Sequence, residues 1–331
     1  MFVVTTLGVA IACCIWTMLG WGSWANTQKL AGKEKLPFQL YYWDYAIGVF
    51  ALAVILMATL GSFGSAGMGA LENLRQADST ACGHALLSGL LFNVSNILLV
   101  VAIDAAGMAV AFPIGVGLAL VIGTVLTFLQ TPKGDPALLF GGVALVVVAM
   151  VLSGVAHSRL PAKTERGSGR GVGFAALAGA MMGFFYPELM RAISANFHSA
   201  PIEAGKLTPY TALLFFGAGV LASNVVVNTL FMRAARLRYA DYFAAGFRLH
   251  TLGFLGGLIW MSALALNVLA SGIAGPAISY ALGQGATLVA ALWGVVIWKE
   301  FAGAPKGVTP LVICMLLGYA SGLTLIGFAT L

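Results

Sequence analysis

Charge is scarce in this chain. Its 331 residues include 17 Lys+Arg and 11 Asp+Glu, 8% in all, where a soluble domain carries about 25%. So few charges cannot cover a water-facing surface, which excludes a soluble enzyme, a secreted scaffold and a disordered chain. Cysteine is scarce too. Cys13, Cys14, Cys82 and Cys314 all fall in or beside apolar runs. They read as small buried hydrophobes, with no disulfide framework and no metal cluster. No HExxH, CxxC, nucleophile elbow or P-loop string is present, so an enzyme has no constellation to stand on. Neither a cofactor nor a metal is expected. No basic stripe with interleaved aromatics argues for nucleic acid.

What is abundant is apolar. Hydrophobic residues make up 60% of the chain and its mean hydropathy is +0.96. Glycine is 42 of 331, roughly twice the usual ~7%. Without a collagen period, that suits close helix packing in lipid. In hydrocarbon every backbone group must be satisfied internally, by helices or by a closed barrel. Barrel strands would alternate apolar and polar residues. Here the runs are continuous, so they are helices.

Gaps between charged residues predict ten spans, at 3–25, 44–63, 81–103, 105–129, 137–156, 171–190, 208–231, 247–269, 274–298 and 308–329. The longest charge-free stretch, 249–298, holds two of them, divided at Ser271-Gly272-Ile273-Ala274-Gly275-Pro276. The first span lacks a basic n-region and is too long for the core of a signal peptide. The loops after the odd-numbered spans hold thirteen Lys and Arg, including Arg159, Lys163, Arg166 and Arg170, and the other loops hold four. The positive-inside rule then places the odd loops in the cytoplasm and both termini outside.

An internal repeat is visible at an offset of 168. AGMAVAFPIGVGLALV at 106–121 matches AGPAISYALGQGATLV at 274–289 in seven of 16 positions, with Phe112 opposite Tyr280. The match pairs the fourth span with the ninth. An odd offset of five spans gives the halves opposite topology, a 5+5 inverted repeat. The expected division is 1–156, a short basic cytoplasmic linker at 157–170, and 171–331. Transporters built this way bind solute near the midplane, where helices are interrupted. Pro113, Gly115 and Gly117 mark such a place in the fourth span, and Gly283 and Gly285, flanking Gln284, in the ninth. Glycine can instead serve helix packing alone.

Polar residues at membrane depth are few. Asn93 and Asn96 lie three apart on the third span and share a face. Asn224 and Asn228 are four apart on the seventh, a pair that interhelical hydrogen bonding alone would explain. Trp21 and Trp24 close the first span and also fit an interfacial tryptophan belt. Glu188 follows Pro187 near the end of the sixth span and precedes Arg191 by three residues. Asp44 and Glu72 bound charge-free stretches and read as interfacial.

Several strings together carry a resemblance. GWGSWANTQKL at 20–30, YYWDY at 41–45, ATLGS at 58–62, ENLRQAD at 72–78, FNVSNILLVVAIDAAGMAVAFPIGVGLALVIGT at 92–124 and GFFYPEL at 183–189 resemble the ureide permease family. That family stands beside the glucose/ribose porters in the drug/metabolite transporter superfamily. The resemblance implies a bacterial-type member in a cytoplasmic membrane, with ten helices, two inverted halves and alternating access. In plant members it implies proton-linked uptake of allantoin, uracil and related heterocycles. Those members carry a long central loop with a Walker-A-like string. The loop here is short and has none.

The residues and the resemblance together give an expected importer of a small neutral polar solute, ureide- or nucleobase-like, coupled to H+. A monosaccharide:proton symporter and a drug or metabolite exporter are the alternatives, and a homodimer stays open. The expected solute site is Trp24, Asn93, Asn96, Phe112, Tyr280 and Gln284. Amides pair with ureide or pyrimidine edges, and aromatic rings stack on flat solutes. Glu188 is the expected coupling carboxylate.

Overall fold

The structure, a computed structural model, describes residues 1–106, 108–160, 169–198 and 201–330, with the backbone alone at 104, 108 and 109. Lys163 and Arg166 of the basic linker, and Gly107 of the repeat, lie outside the described residues. The helices are α1 (Leu7–Ser23), α2 (Ala25–Lys33), α3 (Phe38–Ala58), α4 (Ala70–Gln76), α5 (Ser79–Ala106), α6 (Met108–Gln130) and α7 (Pro136–Ser158). They continue with α8 (Gly169–Ala192), α9 (Pro209–Ala234), α10 (Tyr239–Phe243), α11 (Phe247–Ala274), α12 (Pro276–Gly283), α13 (Ala286–Leu292) and, after a π turn at Trp293–Ile297, α14 (Val308–Phe328). Among the described residues, ten helical stretches are long and apolar enough to cross a membrane. The only β pairing described there is an isolated bridge between Ile193 and Leu207. The chain is an all-α, multi-pass integral membrane protein. Leu19, Val151, Leu230 and Leu317 are among the large apolar side chains left exposed, as a lipid-facing surface requires.

Local chemistry sets the helix starts. Proline opens α7, α9 and α12, where a missing N–H costs nothing. Asp135 caps α7 by accepting from the Ala137 and Leu138 N–H groups at 2.7 and 3.1 Å. Gly275, at φ +91°, separates α11 from α12 in a conformation that suits glycine.

Three expectations need correction. The second span begins at Phe38 and not at 44, because Asp44 lies inside α3 and is buried, 7% exposed. The first membrane stretch continues past 25 to Lys33, since Trp24 keeps helical angles at the joint of α1 and α2. The expected break in the fourth span is absent. α6 runs unbroken through Pro113, Gly115 and Gly117. Pro113 sits only six residues into the helix, so its missing N–H removes one bond near an end. Gly115 serves packing instead, since a methyl on Gly179 of α8 would collide with the Gly115 carbonyl oxygen. In the ninth span the helix stops at Gly283, and Gln284 and Gly285 form a turn before α13.

The chain packs as two compact units, 1–94 with 188–273, and 95–187 with 274–331. Each draws on both ends of the sequence. In the first unit α3 lies along α9, and α2 touches α1 and α3. There α3 and α11 cross with their backbones nearly touching. A methyl on Gly48 would strike the Phe254 carbonyl, and one on Gly257 the Tyr45 carbonyl. In the second unit α7 lies along α14 and α6, and α12 packs on α6 and α14.

Candidate functional site

The interior of the first unit is lined by rings. Trp260 of α11 stacks on Phe92 of α5 at 4.0 Å between centroids, on Phe216 of α9 at 5.8 Å and on Trp21 of α1 at 5.9 Å. Three residues beyond Trp21, the half-buried Trp24 ring lies 4.9 Å from Tyr45 of α3. Tyr45 in turn stacks on Tyr42 at 5.0 Å and Tyr41 at 6.4 Å. The period of α1 thus presents two tryptophans to two different ring groups.

The same unit holds buried amides. Asn93, next to Phe92, donates from Nδ2 to Ser223 Oγ at 3.0 Å. Ser223 gives its own proton to the Gly219 carbonyl at 2.7 Å. Asn224 follows on α9 and is fully buried, yet neither its Nδ2 nor its Oδ1 has a hydrogen-bond partner. The same holds for Asn93 Oδ1, Trp21 Nε1 and the Tyr45 hydroxyl. Leaving a buried polar group unsatisfied costs about 1–3 kcal/mol, so folded proteins rarely keep several together without a ligand or water for them. The donors are an indole N–H, a phenol O–H and an amide NH2, and the acceptors are two amide oxygens. Every one of these groups is neutral.

The residues expected from sequence divide between the units. Trp24 and Asn93 belong to the first, next to the groups just described. Asn96, Phe112, Tyr280 and Gln284 belong to the second. Tyr280 is packed into the interior of that unit. Its ring is fully buried, it lies tilted against Tyr186 at 4.7 Å, and it fills the gap left by Gly123. Its hydroxyl donates to the Ala119 carbonyl at 3.1 Å, so its polar atom already has a protein partner. Gln284 sits 9% exposed in the α12–α13 turn, and Phe112 is half-buried on α6. Thr124 and Thr127, on α6, have buried hydroxyls without partners. Tyr45 and Trp260 are not among the site residues expected from sequence, and interhelical hydrogen bonding alone would explain the Asn224–Asn228 pair. The usable signal was the pair Asn224 and Asn228, of which only Asn228 makes such a bond, to the Gln39 carbonyl at 2.8 Å.

Two buried carboxylates complete the first unit. Glu188 is 9% exposed, with Arg191 Nη1 at 2.6 Å and His84 Nδ1 at 2.7 Å. Asp44 accepts from the Tyr242 hydroxyl at 2.7 Å and faces His250 Nδ1 at 2.8 Å. Glu188, the expected coupling group, therefore holds a permanent cation, because arginine does not give up its proton.

Comparison with known proteins agrees with this architecture. A solved crystal structure superposes with a TM-score of 0.64 at 18% identity, over 97% of this chain and 98% of its own, a likeness of fold. Ureide permease 1 of Arabidopsis thaliana is 23% identical over 380 aligned positions, covering 96% of each chain. Ureide permease 2 of the same plant is 22% identical over 403, covering 98% of each. The profile of the ureide permease family matches residues 41–168 and 163–328. With both halves of its ten-span chain matched in this way, the protein belongs to the ureide permease family.

Proposed function

We propose that this protein is a secondary active transporter that imports a small neutral heterocycle of the ureide or nucleobase class by alternating access, driven by a proton gradient. The observation that carries the reading is the buried Asn224 amide, unpartnered at both ends, in the unit that also holds the Trp21, Trp24 and Tyr45 rings. A ureide or pyrimidine edge places a carbonyl beside an N–H, which pairs with one amide through two hydrogen bonds. Trp21, Trp24 and Tyr45 supply flat faces, and the Trp21 N–H and Tyr45 O–H supply donors for a second carbonyl. The neutral donor set suits an uncharged solute. The names of the relatives, ureide permeases, support the same solute class.

Helix spacing supports an inverted repeat beneath this activity. α5 and α11 each have 28 residues and start 168 positions apart, the offset of the sequence match. α6 and α12 also start 168 apart and pack together. α3 with α9, and α7 with α14, start within four residues of that offset and pack together as well.

Purified protein in proteoliposomes, with an imposed inward proton gradient, is expected to take up radiolabelled allantoin or uracil and to ignore glucose. Uptake of glucose alone would assign the site to a sugar. Orientation is tested separately. The excess of Lys and Arg in the odd loops supports a topology with both termini outside, so a reporter active only in the cytoplasm, fused after the last residue, should stay dark. A bright fusion would reverse the topology.

A further inference from the structure

We infer that Asp44, held between His250 and Tyr242, is the proton-binding carboxylate that couples solute movement to the gradient. The inference rests on the transport reading above and assigns its ion site.

The case begins with the two buried carboxylates of the first unit. Glu188 already has its charge matched by Arg191 at 2.6 Å, with His84 on its other oxygen. Protonating it would strand a permanent cation. Asp44 differs. Among the described residues no Lys or Arg lies within ion-pair distance of it, and its ionic partner is His250. With His250 neutral, the pair carries one negative charge. One added proton makes it neutral overall, as Asp⁻ with His⁺ or as the acid with neutral imidazole. A net charge in a site shielded from water is costly, so closing over the pair favours proton uptake and opening it to water permits release. Histidine changes charge between pH 5 and 8, where arginine cannot.

The surroundings fit. α3 contributes Tyr41, whose hydroxyl is 2.7 Å from Thr27 Oγ1, and Tyr45, a member of the solute site. α11 contributes His250 and, close against Asp44, Gly253. The nearest charge along α11, Arg248, is largely exposed and is engaged with Glu34 at 2.8 Å. α10 contributes Tyr242. Burial, then the hydrogen bond to Asp44 and its charge, hold that phenol above its ordinary range, so it donates at every working pH. α10 lies outside the ten membrane stretches, and Asp44 lies two turns into α3 from its start. By the positive-inside count, both the α2–α3 and α9–α11 connections are cytoplasmic, which gives the proton an exit toward the cytoplasm.

Asp44 and Tyr45 are consecutive on one turn of α3. A shift of that turn on solute binding at Tyr45 therefore moves Asp44 relative to His250. No covalent step is involved. One proton enters the pair and one leaves it per cycle.

The test is uptake into proteoliposomes with radiolabelled uracil and allantoin, alongside a pH-sensitive dye that follows solute-linked proton entry. Wild-type protein is expected to concentrate one of these solutes and to acidify the lumen with it. Asp44→Asn is expected to bring solute only to equal concentrations on both sides, with no acidification, while downhill entry stays measurable. Tyr242→Phe, on the short exposed helix, removes one hydrogen bond to Asp44. It is expected to move the pH midpoint of accumulation upward, because the carboxylate loses a donor to its charged form. That variant reads the inference even if Asp44→Asn does not fold. If wild-type protein moves neither solute, the transport reading fails. If it moves solute without protons, the proton-driven part of the transport reading falls together with this assignment. If Asp44→Asn still concentrates solute and Tyr242→Phe keeps the wild-type midpoint, the transport reading stands and this assignment is overturned.

Discussion

Replacing Trp260 by alanine should cost about 3–5 kcal/mol of stability, the usual range for emptying a buried tryptophan site. Trp260 is 5% exposed and touches three rings from three other helices, Trp21 of α1, Phe92 of α5 and Phe216 of α9. Those rings cannot collapse into the gap, because glycine contacts already hold their helices together. A methyl on Gly89 would strike the Phe216 carbonyl, and one on Gly20 would come within 2.7 Å of the Ala263 side chain. Thermal unfolding in detergent measures the loss. Trp260→Phe keeps most of the ring area and should keep most of the midpoint. Leu118→Ala, at a partly exposed position of α6, is the control for truncation at the lipid surface and should shift it little. A Trp260→Ala midpoint equal to that of Leu118→Ala would mean that the ring column carries no weight in the fold.

The ten spans were legible because hydrocarbon tolerates so few charges, and the rule failed where the protein breaks it. Counting gaps between charges put the start of the second span at Asp44. Asp44 lies within α3, where Tyr242 and His250, roughly 200 residues away in sequence, satisfy its two oxygens. Nothing in the local string reveals partners that distant. The break at Gly283–Gly285 and the continuity at Gly115–Gly117 show the same limit. The two motifs are aligned and alike in glycine, yet α6 continues where α12 ends. In α6, Gly115 is needed where Gly179 crosses it, a contact from another helix that the sequence does not announce. Tyr280 was legible as important but not in its role. Its hydroxyl is bonded to the Ala119 carbonyl, whereas Asn224, Tyr45 and Trp21 are among the residues with buried polar atoms that have no partner. The sequence displayed those residues as an asparagine pair, an aromatic string and a belt tryptophan. Only the fold shows which of their atoms have no partner.

That distinction leads to the second large effect. Asn224→Leu should make the solute-free protein more stable and at the same time remove high-affinity solute binding. The substitution nearly conserves volume and takes away two polar atoms that find no partner in the fold. Each such atom costs about 1–3 kcal/mol while it stays unsatisfied, so the melting midpoint without solute should rise. The solute loses the two hydrogen bonds of one amide. At about 1–3 kcal/mol for the pair, this is roughly 5- to 150-fold in affinity. Wild-type protein should gain thermal stability when allantoin or uracil is added, since a ligand that binds only the folded state raises its midpoint. The variant should start higher and gain less at the same solute concentration. Asn228→Leu is the contrast, because there only Oδ1 is unpartnered while Nδ2 donates to the Gln39 carbonyl at 2.8 Å, so the variant takes that donor away from the carbonyl and should lower the midpoint. An Asn224 that is merely structural would behave like Asn228, with a lower midpoint in the variant and an undiminished shift with solute. Opposite signs at two buried asparagines one helical turn apart would mark Asn224 as a group kept unsatisfied by the fold for the solute it binds.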